Sequence, residues 1–116
     1  MIDTPLLNAL GRFLSLSVSR HEVIAANMAN VDTPGYKTRD IDFRRVLDQA
    51  TGGDEGLPYQ PAARKILGLI ERPDGNNVSL ERESLAMSQN QLLFDVGVQV
   101  LKTEFRRLAS AIKEGA

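Results

Sequence analysis

The sequence predicts an all-α fold in which elongated N- and C-terminal helices pack as a coiled-coil-like hairpin, joined by a mostly irregular middle segment. Apolar residues recur at alternating steps of three and four near both ends of the chain, as they do on one face of a helix. The segment between these ends lacks that spacing and is rich in turn-forming residues. Because a chain of 116 residues forms one domain at most, two long helices favour an elongated unit over a globule.

The N-terminal helix begins at Thr4 and Pro5, because Thr caps a first-turn amide and Pro is preorganised at the first helical position. Its main apolar seam, with two polar members, consists of Leu7, Leu10, Leu14, Ser17, His21, Ile24 and Met28. Leu16 and Val23 lie one heptad apart and off this seam. The helix therefore presents apolar surface in two directions, which one partner helix would not cover.

The first helix ends at a Pro-Gly turn. Pro34 cannot continue a helix and pushes Thr33 into an extended conformation. Gly35 permits the positive φ that a type II turn requires at its third residue. The pattern predicts a helix exit that leads directly into a turn.

The C-terminal helix begins near Ser79, where Glu81 and Glu83 place negative charge in the first turn, and extends to about Lys113. At 1.5 Å per residue it is about 50 Å long. The residues spaced by steps of three and four along this helix are Leu80, Met87, Asn90, Phe94, Gly97, Leu101, Leu108 and Ala111. From Leu93 onward the apolar positions cover an arc of about 200°, so the helix needs several neighbours.

The middle segment has weaker patterns. Residues 40–47 are compatible with a short helix, residues 51–58 with a loop, and residues 65–70 with a strand too short to decide. A turn cluster follows at residues 72–77. We divide the chain into three parts of one structural unit: residues 1–35 with the N-terminal helix and turn, 36–78 as the connecting segment, and 79–116 as the C-terminal helix.

Little in the sequence indicates catalysis. There is no cysteine, and His21 is the only histidine, with no evident catalytic or ligand partner. Asp40 and Asp42 lie in a predicted loop region, and no residues have metal-ligand or phosphate-loop spacing. We therefore expect no enzyme activity, no cofactor, no metal and no small-molecule substrate. The net charge of −1 gives no reason to expect nucleic-acid binding.

The beginning of the chain does not resemble a cleaved signal peptide. Residues 6–18 are rich in leucine, but Asp3 precedes them and Arg12 interrupts them. We expect no such peptide to be cleaved from this protein.

Polar residues near the apolar seams admit two interpretations. Asn27, Asn30 and Asn90 either cap helices and face water, or are buried amides that fix the register of packed helices. Gly97 costs on the order of 1 kcal/mol in a helix relative to Ala. We expect it to allow close approach of a neighbouring helix.

The string Ala-Asn-Met-Ala-Asn-Val-Asp-Thr-Pro-Gly-Tyr-Lys at residues 26–37 resembles the N-terminal signature of the bacterial flagellar rod and hook family, Ala-Asn-x-x-Asn-x-x-Thr-Pro-Gly-Tyr. Residues 36–43 and 75–83, and residues 90–94, 98–101 and 105–106 of the C-terminal helix, are similar to proximal members of the flagellar basal-body rod proteins. The short middle segment also fits a proximal member, because distal members carry large inserted β domains for which this chain has no room. Ser79 departs from the family, in which an acidic or amide residue is more usual at this helix cap.

The resemblance implies a structural subunit of the flagellar basal-body rod. Such subunits are exported by the flagellar type III apparatus without a cleaved signal peptide and lie in the part of the basal body that spans the periplasm. Their terminal helices assemble into a helical tube that transmits torque. The implied partners are copies of the chain, other rod subunits, and membrane-ring or export-gate components at the rod base.

Two sets of residues are expected to carry this role. The helix-packing residues are Leu7, Leu10, Leu14, Ile24, Met28, Phe94, Leu101, Phe105 and Leu108. The residues of the family signature and subunit contacts are Ala26, Asn27, Asn30, Thr33, Pro34, Gly35, Tyr36, Asn90 and Gly97.

Two other classes of function remain open on the residues alone. A helical-hairpin adaptor or export chaperone would be folded and stably dimeric by itself, whereas a rod subunit would have largely unfolded ends until assembled. A small helical nucleic-acid binder would bind with strong salt dependence. The sequence does not give the subunit stoichiometry or the conformation of residues 48–77.

Overall fold

The computed structural model describes residues 5–46 and 63–115. Two long helices dominate it, α1 at Pro5–Ala29 and α2 at Leu80–Glu114. Two short strands lie between them in the chain, β1 at Arg39–Ile41 and β2 at Ala63–Lys65. The molecule measures 68 × 29 × 17 Å. The predicted fold class, two elongated helices joined by a mostly irregular middle, is confirmed.

The ends of α2 follow from local hydrogen bonding. Ser79 has an extended backbone, and its Oγ accepts a hydrogen bond of 3.3 Å from the amide of Arg82. At the other end the Gly115 amide donates to the carbonyl of Ala111 at 3.0 Å. The sequence predicted both ends within about one residue. The predicted cap of α1, Thr4, lies outside the described residues.

The two helices pack antiparallel. Asn27 near the end of α1 contacts Glu83 in the first turns of α2, and Ser17 contacts Asn90 further along. A Cβ placed on Gly97 would lie 3.0 Å from Leu14 Cδ2. The helices therefore form a hairpin. At its closed end lie two segments, the one that connects α1 to β1 and the one that leads into α2.

A small apolar core fills the second side of α1. It consists of Leu16, Ile41 and Val46, with Val23 and Phe43 packed against it. The ring of Phe13 meets that of Phe43 edge to face, with centroids 5.1 Å apart. Leu16 and Val23 lie off the main seam because they face β1 and the helical residues 43–46, not α2. Of the short helix predicted over residues 40–47, residues 43–46 are helical and residue 47 is outside the described part.

The strands form an antiparallel ribbon, with Arg39 opposite Lys65 and Ile41 opposite Ala63. Of the strand considered over residues 65–70, only Lys65 belongs to a strand, because the chain turns at Gly68 with φ of +84°. β1 was not predicted at all, since three residues are too few to show an alternating pattern. The loop predicted over residues 51–58 is outside the described residues.

Candidate functional site

The chain leaves α1 through the predicted type II turn at residues 33–36. Gly35 has φ of +75°, and the amide of Tyr36 donates to the carbonyl of Thr33 at 3.2 Å. Pro34 occupies the second position, where its fixed φ suits this turn. The turn reverses the chain and delivers Tyr36 back toward the end of α1.

Asn30 closes the C-terminal end of α1. Its Nδ2 donates to the carbonyl of Ala26 at 2.7 Å, and its Oδ1 accepts from Thr33 Oγ1 at 3.0 Å. Asn30 is half-buried, and its side chain satisfies one of the last helical carbonyls. This asparagine therefore acts as a cap.

Asn27 is fully buried, with 0 % of its surface exposed, and uses its whole hydrogen-bonding capacity. Its Nδ2 donates to the carbonyl of Arg39 at 2.7 Å and to Glu83 Oε2 at 3.0 Å. Its Oδ1 accepts from Tyr36 Oη at 2.9 Å and from the Arg39 amide at 3.1 Å. Two donors and two acceptor sites are thus all paired. One side chain ties together α1, the turn, β1 and α2.

Asn76 fastens the segment before α2 onto the end of α1. Its Nδ2 donates to the carbonyls of Asn30 and Thr33, each at 2.9 Å. Its Oδ1 accepts from the amide of Val78 at 2.8 Å. Asn76 therefore satisfies carbonyls that α1 and its turn leave without a helical partner.

Asn77 pairs the same segment with the chain that follows the turn. Its Oδ1 accepts from the Thr38 amide at 2.6 Å, and its carbonyl accepts from Thr38 Oγ1 at 3.2 Å. Its own amide donates to the carbonyl of Tyr36 at 3.3 Å. We call the buried or half-buried side chains that hold these segments the polar joint: Asn27, Tyr36, Thr38, Asn76, Asn77 and Glu83.

Charged side chains surround the polar joint. Lys37 Nζ pairs with Glu71 Oε1 at 2.7 Å and donates to the carbonyl of Gly75. Arg72 donates to the carbonyl of Val31. Because the side chains of Lys37 and Glu71 are 30 % and 55 % exposed, their ion pair contributes at most about 1 kcal/mol, and the buried amide network is the main source of order here.

Glu83 is one of the buried polar residues that the sequence does not reveal. Its position predicts a first-turn charge, but its carboxylate is buried and accepts from Asn27 Nδ2 and, at 2.9 Å, from Arg82 Nη1. Asn76, Asn77 and Thr38 were also missed as buried groups. The similarity of residues 75–83 to the rod proteins was the one available indication, because it joined the turn cluster to the start of α2.

Asn90 lies farther along the hairpin and is buried between the helices. Its Nδ2 donates to the carbonyl of Ser17 at 2.8 Å, whereas its Oδ1 has no hydrogen-bond partner. Ser17 Oγ in turn donates to the carbonyl of Phe13 at 3.0 Å. Asn90 therefore holds one register of α1 against α2 at the cost of one unpaired oxygen.

The residues proposed for helix packing differ in burial. Ile24 is buried, and Phe105 is 55 % exposed. The half-buried members are Leu7, Leu10, Leu14, Met28, Phe94, Leu101 and Leu108. Those at the open end of the hairpin are thus incompletely covered by one chain. His21 is exposed on α1.

The part of the chain that the structure describes contains no group of three or more His, Asp or Glu residues that could hold a metal ion. Within the same ranges, none of the helices is both long and apolar enough to cross a bilayer.

Comparison with known proteins finds similarity both at the signature and over most of the chain. A family model described as "Flagella basal body rod protein" matches residues 14–37, which comprise most of α1 and its turn. The flagellar basal body rod protein FlgB of Salmonella typhimurium is 32 % identical, with 88 % of each chain covered. FlgB of Escherichia coli strain K12 is 31 % identical over 88 % of both chains, and that of Proteus mirabilis strain HI4320 is 29 % identical over 88 % of this chain and 89 % of its own. The signature, which forms the turn and contributes Asn27 and Tyr36 to the polar joint, thus lies within a similarity that spans nearly the whole chain. The chain belongs to the family of the flagellar basal body rod protein FlgB.

Proposed function

We propose that this rod subunit assembles through its terminal helices, with copies of itself and with related rod subunits, into a helical tube that transmits torque. The observation that carries the proposal is the apolar surface that the hairpin leaves uncovered. Leu92 on α2 is 64 % exposed, and Val18 on α1 and Phe105 are about half exposed. Apolar stripes on long helices favour association with further helices.

The polar joint has a mechanical role in this proposal. A fully paired buried network is rigid, because each of its members holds the others in one geometry. Asn27 and Asn76 connect the end of α1 to both ends of the connecting segment. The joint therefore keeps the two helices at one angle, as a subunit that carries torsional load requires.

The site of action in the proposal follows from the family. We propose that the protein is exported by the flagellar type III apparatus without a cleaved signal peptide and acts in the part of the basal body that spans the periplasm. At the rod base it contacts membrane-ring or export-gate components as well as other rod subunits. We propose no catalytic activity.

A double substitution in the turn tests the proposal in a motile cell. Replacing both Pro34 and Gly35 by Ala removes the fixed φ and the positive φ of the turn. We expect rod assembly and swimming to be strongly impaired while the exported protein is still detected outside the cytoplasm. Asp32→Ala, at an exposed neighbouring position, is the control and should leave both unchanged. Full motility of the double variant would contradict the proposal.

A helical-hairpin adaptor or export chaperone is the alternative, because the same exposed apolar faces would fit a partner's amphipathic helix. Amide NMR spectra of the dilute protein, alone and mixed with candidate rod neighbours, separate the two. Poor dispersion of the helix ends that improves on mixing supports the rod subunit. A well-dispersed, stable dimer that ignores those neighbours supports the adaptor.

A further inference from the structure

A short apolar loop follows β2 and projects from the closed end of the hairpin. It comprises residues 66–70, in which Leu67 and Ile70 are 91 % and 93 % exposed. The loop is held in place, because the Ile66 amide donates to the carbonyl of Thr38 at 3.1 Å and Glu71 pairs with Lys37. Covering these two aliphatic side chains with another molecule would be favourable, because it removes their apolar surface from water.

The side of α2 that faces away from α1 carries an apolar stripe. Leu85, Leu92 and Val96 are spaced by seven and four residues, so they lie on one helix face, which we call the outer face. Leu85 is 60 % exposed and Val96 is 52 % exposed. Asn90 and Gly97, which contact α1, lie on the other side of the helix. The partner helix within the chain therefore cannot cover the outer face.

The two surfaces carry opposite charge. Arg64 and Lys65 are exposed in β2, directly before the apolar loop. Glu81 lies one turn before Leu85 and Asp95 is adjacent to Val96, so exposed carboxylates flank the outer face. Glu71, on the other side of the loop, is already paired with Lys37, so Arg64 and Lys65 are the charges that can pair with the carboxylates beside the outer face.

We propose that the apolar loop of one copy of this chain packs on the outer face of α2 of a second copy, with Arg64 and Lys65 near Glu81 and Asp95. This inference rests on the proposed self-assembly and names its contact surfaces. Because the loop and the outer face are different surfaces of one chain, the contact is heterologous and repeats from copy to copy. Such a contact builds an open helical array and does not close into a twofold dimer.

Cysteine cross-linking tests the contact directly, because the chain contains no cysteine of its own. The variant with Leu67→Cys and Leu92→Cys is assembled and oxidised, and the links are identified by mass spectrometry on a mixture of isotopically light and heavy copies. We expect a ladder of disulfide-linked copies with links that join light to heavy chains. The matched control is Leu67→Cys with Gln91→Cys, at the same height on α2 but turned about 100° away. The control ladder should be at least about tenfold weaker.

Surface variants test the chemistry of the contact without disturbing the fold. Leu67→Ser with Ile70→Ser should weaken self-association about tenfold or more, while the helical content stays unchanged because both side chains are exposed. Reversing the charge at Arg64 and Lys65 to Glu should lower the cross-link yield. Reversing Glu81 and Asp95 to Lys in the same chain should restore it.

The outcomes separate this inference from the proposed function. Helical assemblies by electron microscopy without links between positions 67 and 92 would overturn the loop contact and leave the rod assignment standing. Links only within single chains, or equal ladders from the Gln91 control, would also overturn it. Failure to assemble, both alone and with rod neighbours, would overturn the inference together with the proposed self-assembly.

Discussion

At the scale of single residues, the asparagines of this chain differ in what their burial contributes. Asn27 pairs every polar atom of its side chain, whereas Asn90 leaves its Oδ1 unpaired. A buried polar group stabilises a fold only when it is paired, and an unpaired one costs about 1–3 kcal/mol. Asn27 therefore contributes to stability, while Asn90 contributes to the specificity of helix pairing.

We expect Asn27→Asp to lower the free energy of unfolding by about 2–4 kcal/mol, because a carboxylate cannot donate to the Arg39 carbonyl or to Glu83. Adding Glu83→Gln should recover about 1 kcal/mol or more, since the new amide can donate to Asp. Urea unfolding followed by circular dichroism measures both changes. Asn8→Asp, at an exposed position of α1, should stay within about 0.5 kcal/mol of the parent. Equal stability of the Asn27 and Asn8 variants would refute the role of Asn27.

Asn90→Leu should leave the free energy of unfolding unchanged or raise it by about 1 kcal/mol. The substitution removes the unpaired buried oxygen, and Leu fills a similar volume. Asn90→Ala is the comparison, which should cost about 1–2 kcal/mol because it loses the bond to Ser17 and leaves a void. The same urea titration measures both, and a Leu variant less stable than the Ala variant would contradict the interpretation.

At the residue scale, only some members of the polar joint can be predicted from the sequence. Asn27 and Tyr36 are identifiable because they belong to a recognisable signature. Glu83 was not, because a carboxylate in the first turn of a helix has a sufficient local explanation in the helix dipole. Its burial depends on Asn27, which lies 56 residues earlier in the chain, and no local pattern encodes that distance.

At the scale of elements, the helices were predictable because each contains many turns of one repeating pattern. Both ends of α2 followed from Ser79 and the length of its apolar rhythm. The strands were not, since each has three residues and exists through pairing with the other. Their register depends on the chain between them, which carries no distinct pattern.

Two helix glycines form a matched pair for a test of close packing. An added Cβ at Gly97 would lie 3.0 Å from both Leu14 Cδ2 and Phe13 Cε1, whereas one at Gly11 meets nothing within 4 Å. Gly11→Ala should therefore raise the free energy of unfolding by about 0.5–1 kcal/mol. Gly97→Ala should gain less or lose stability, and Gly97→Leu should lose about 1–3 kcal/mol.

Thermal or urea unfolding of the three glycine variants measures these differences, and rod assembly is scored beside them. We expect Gly97→Leu to impair assembly while the helical content of the isolated chain changes little. Normal assembly of that variant, or equal gains from Ala at both glycines, would contradict close packing at Gly97.

At the scale of the whole molecule, the burial of side chains decreases from the closed end of the hairpin to its open end. The polar joint and the small apolar core both lie toward the closed end. Extending the antiparallel register of α1 and α2 brings Pro5 opposite about residue 105 of α2. The last turns of α2 therefore extend beyond the described part of α1, and Ile112 is exposed there.

We expect amide hydrogen exchange in the isolated chain to follow this gradient. Amides of residues 106–114 should exchange at least about tenfold faster than those of residues 84–97, because none of the described residues of α1 lies opposite them. Exchange measured by mass spectrometry after mixing with rod neighbours should slow in the same residues. Uniform protection along α2 before mixing would contradict the gradient and favour a chain that is complete by itself.

The spacing of the polar joint along the chain also sets an order of events for a polypeptide that emerges from a narrow channel N-terminus first. Thr38 and Asn77 are 39 positions apart, and Asn27 and Glu83 are 56 apart. Until residues 76–83 have emerged, Asn27 can bond only to Tyr36 and Arg39, and closing the loop that brings Glu83 to it carries an entropy cost. If the chain is exported as proposed, most of it therefore passes through the channel before the contacts between the two helices form, and the hairpin closes only when its second helix arrives.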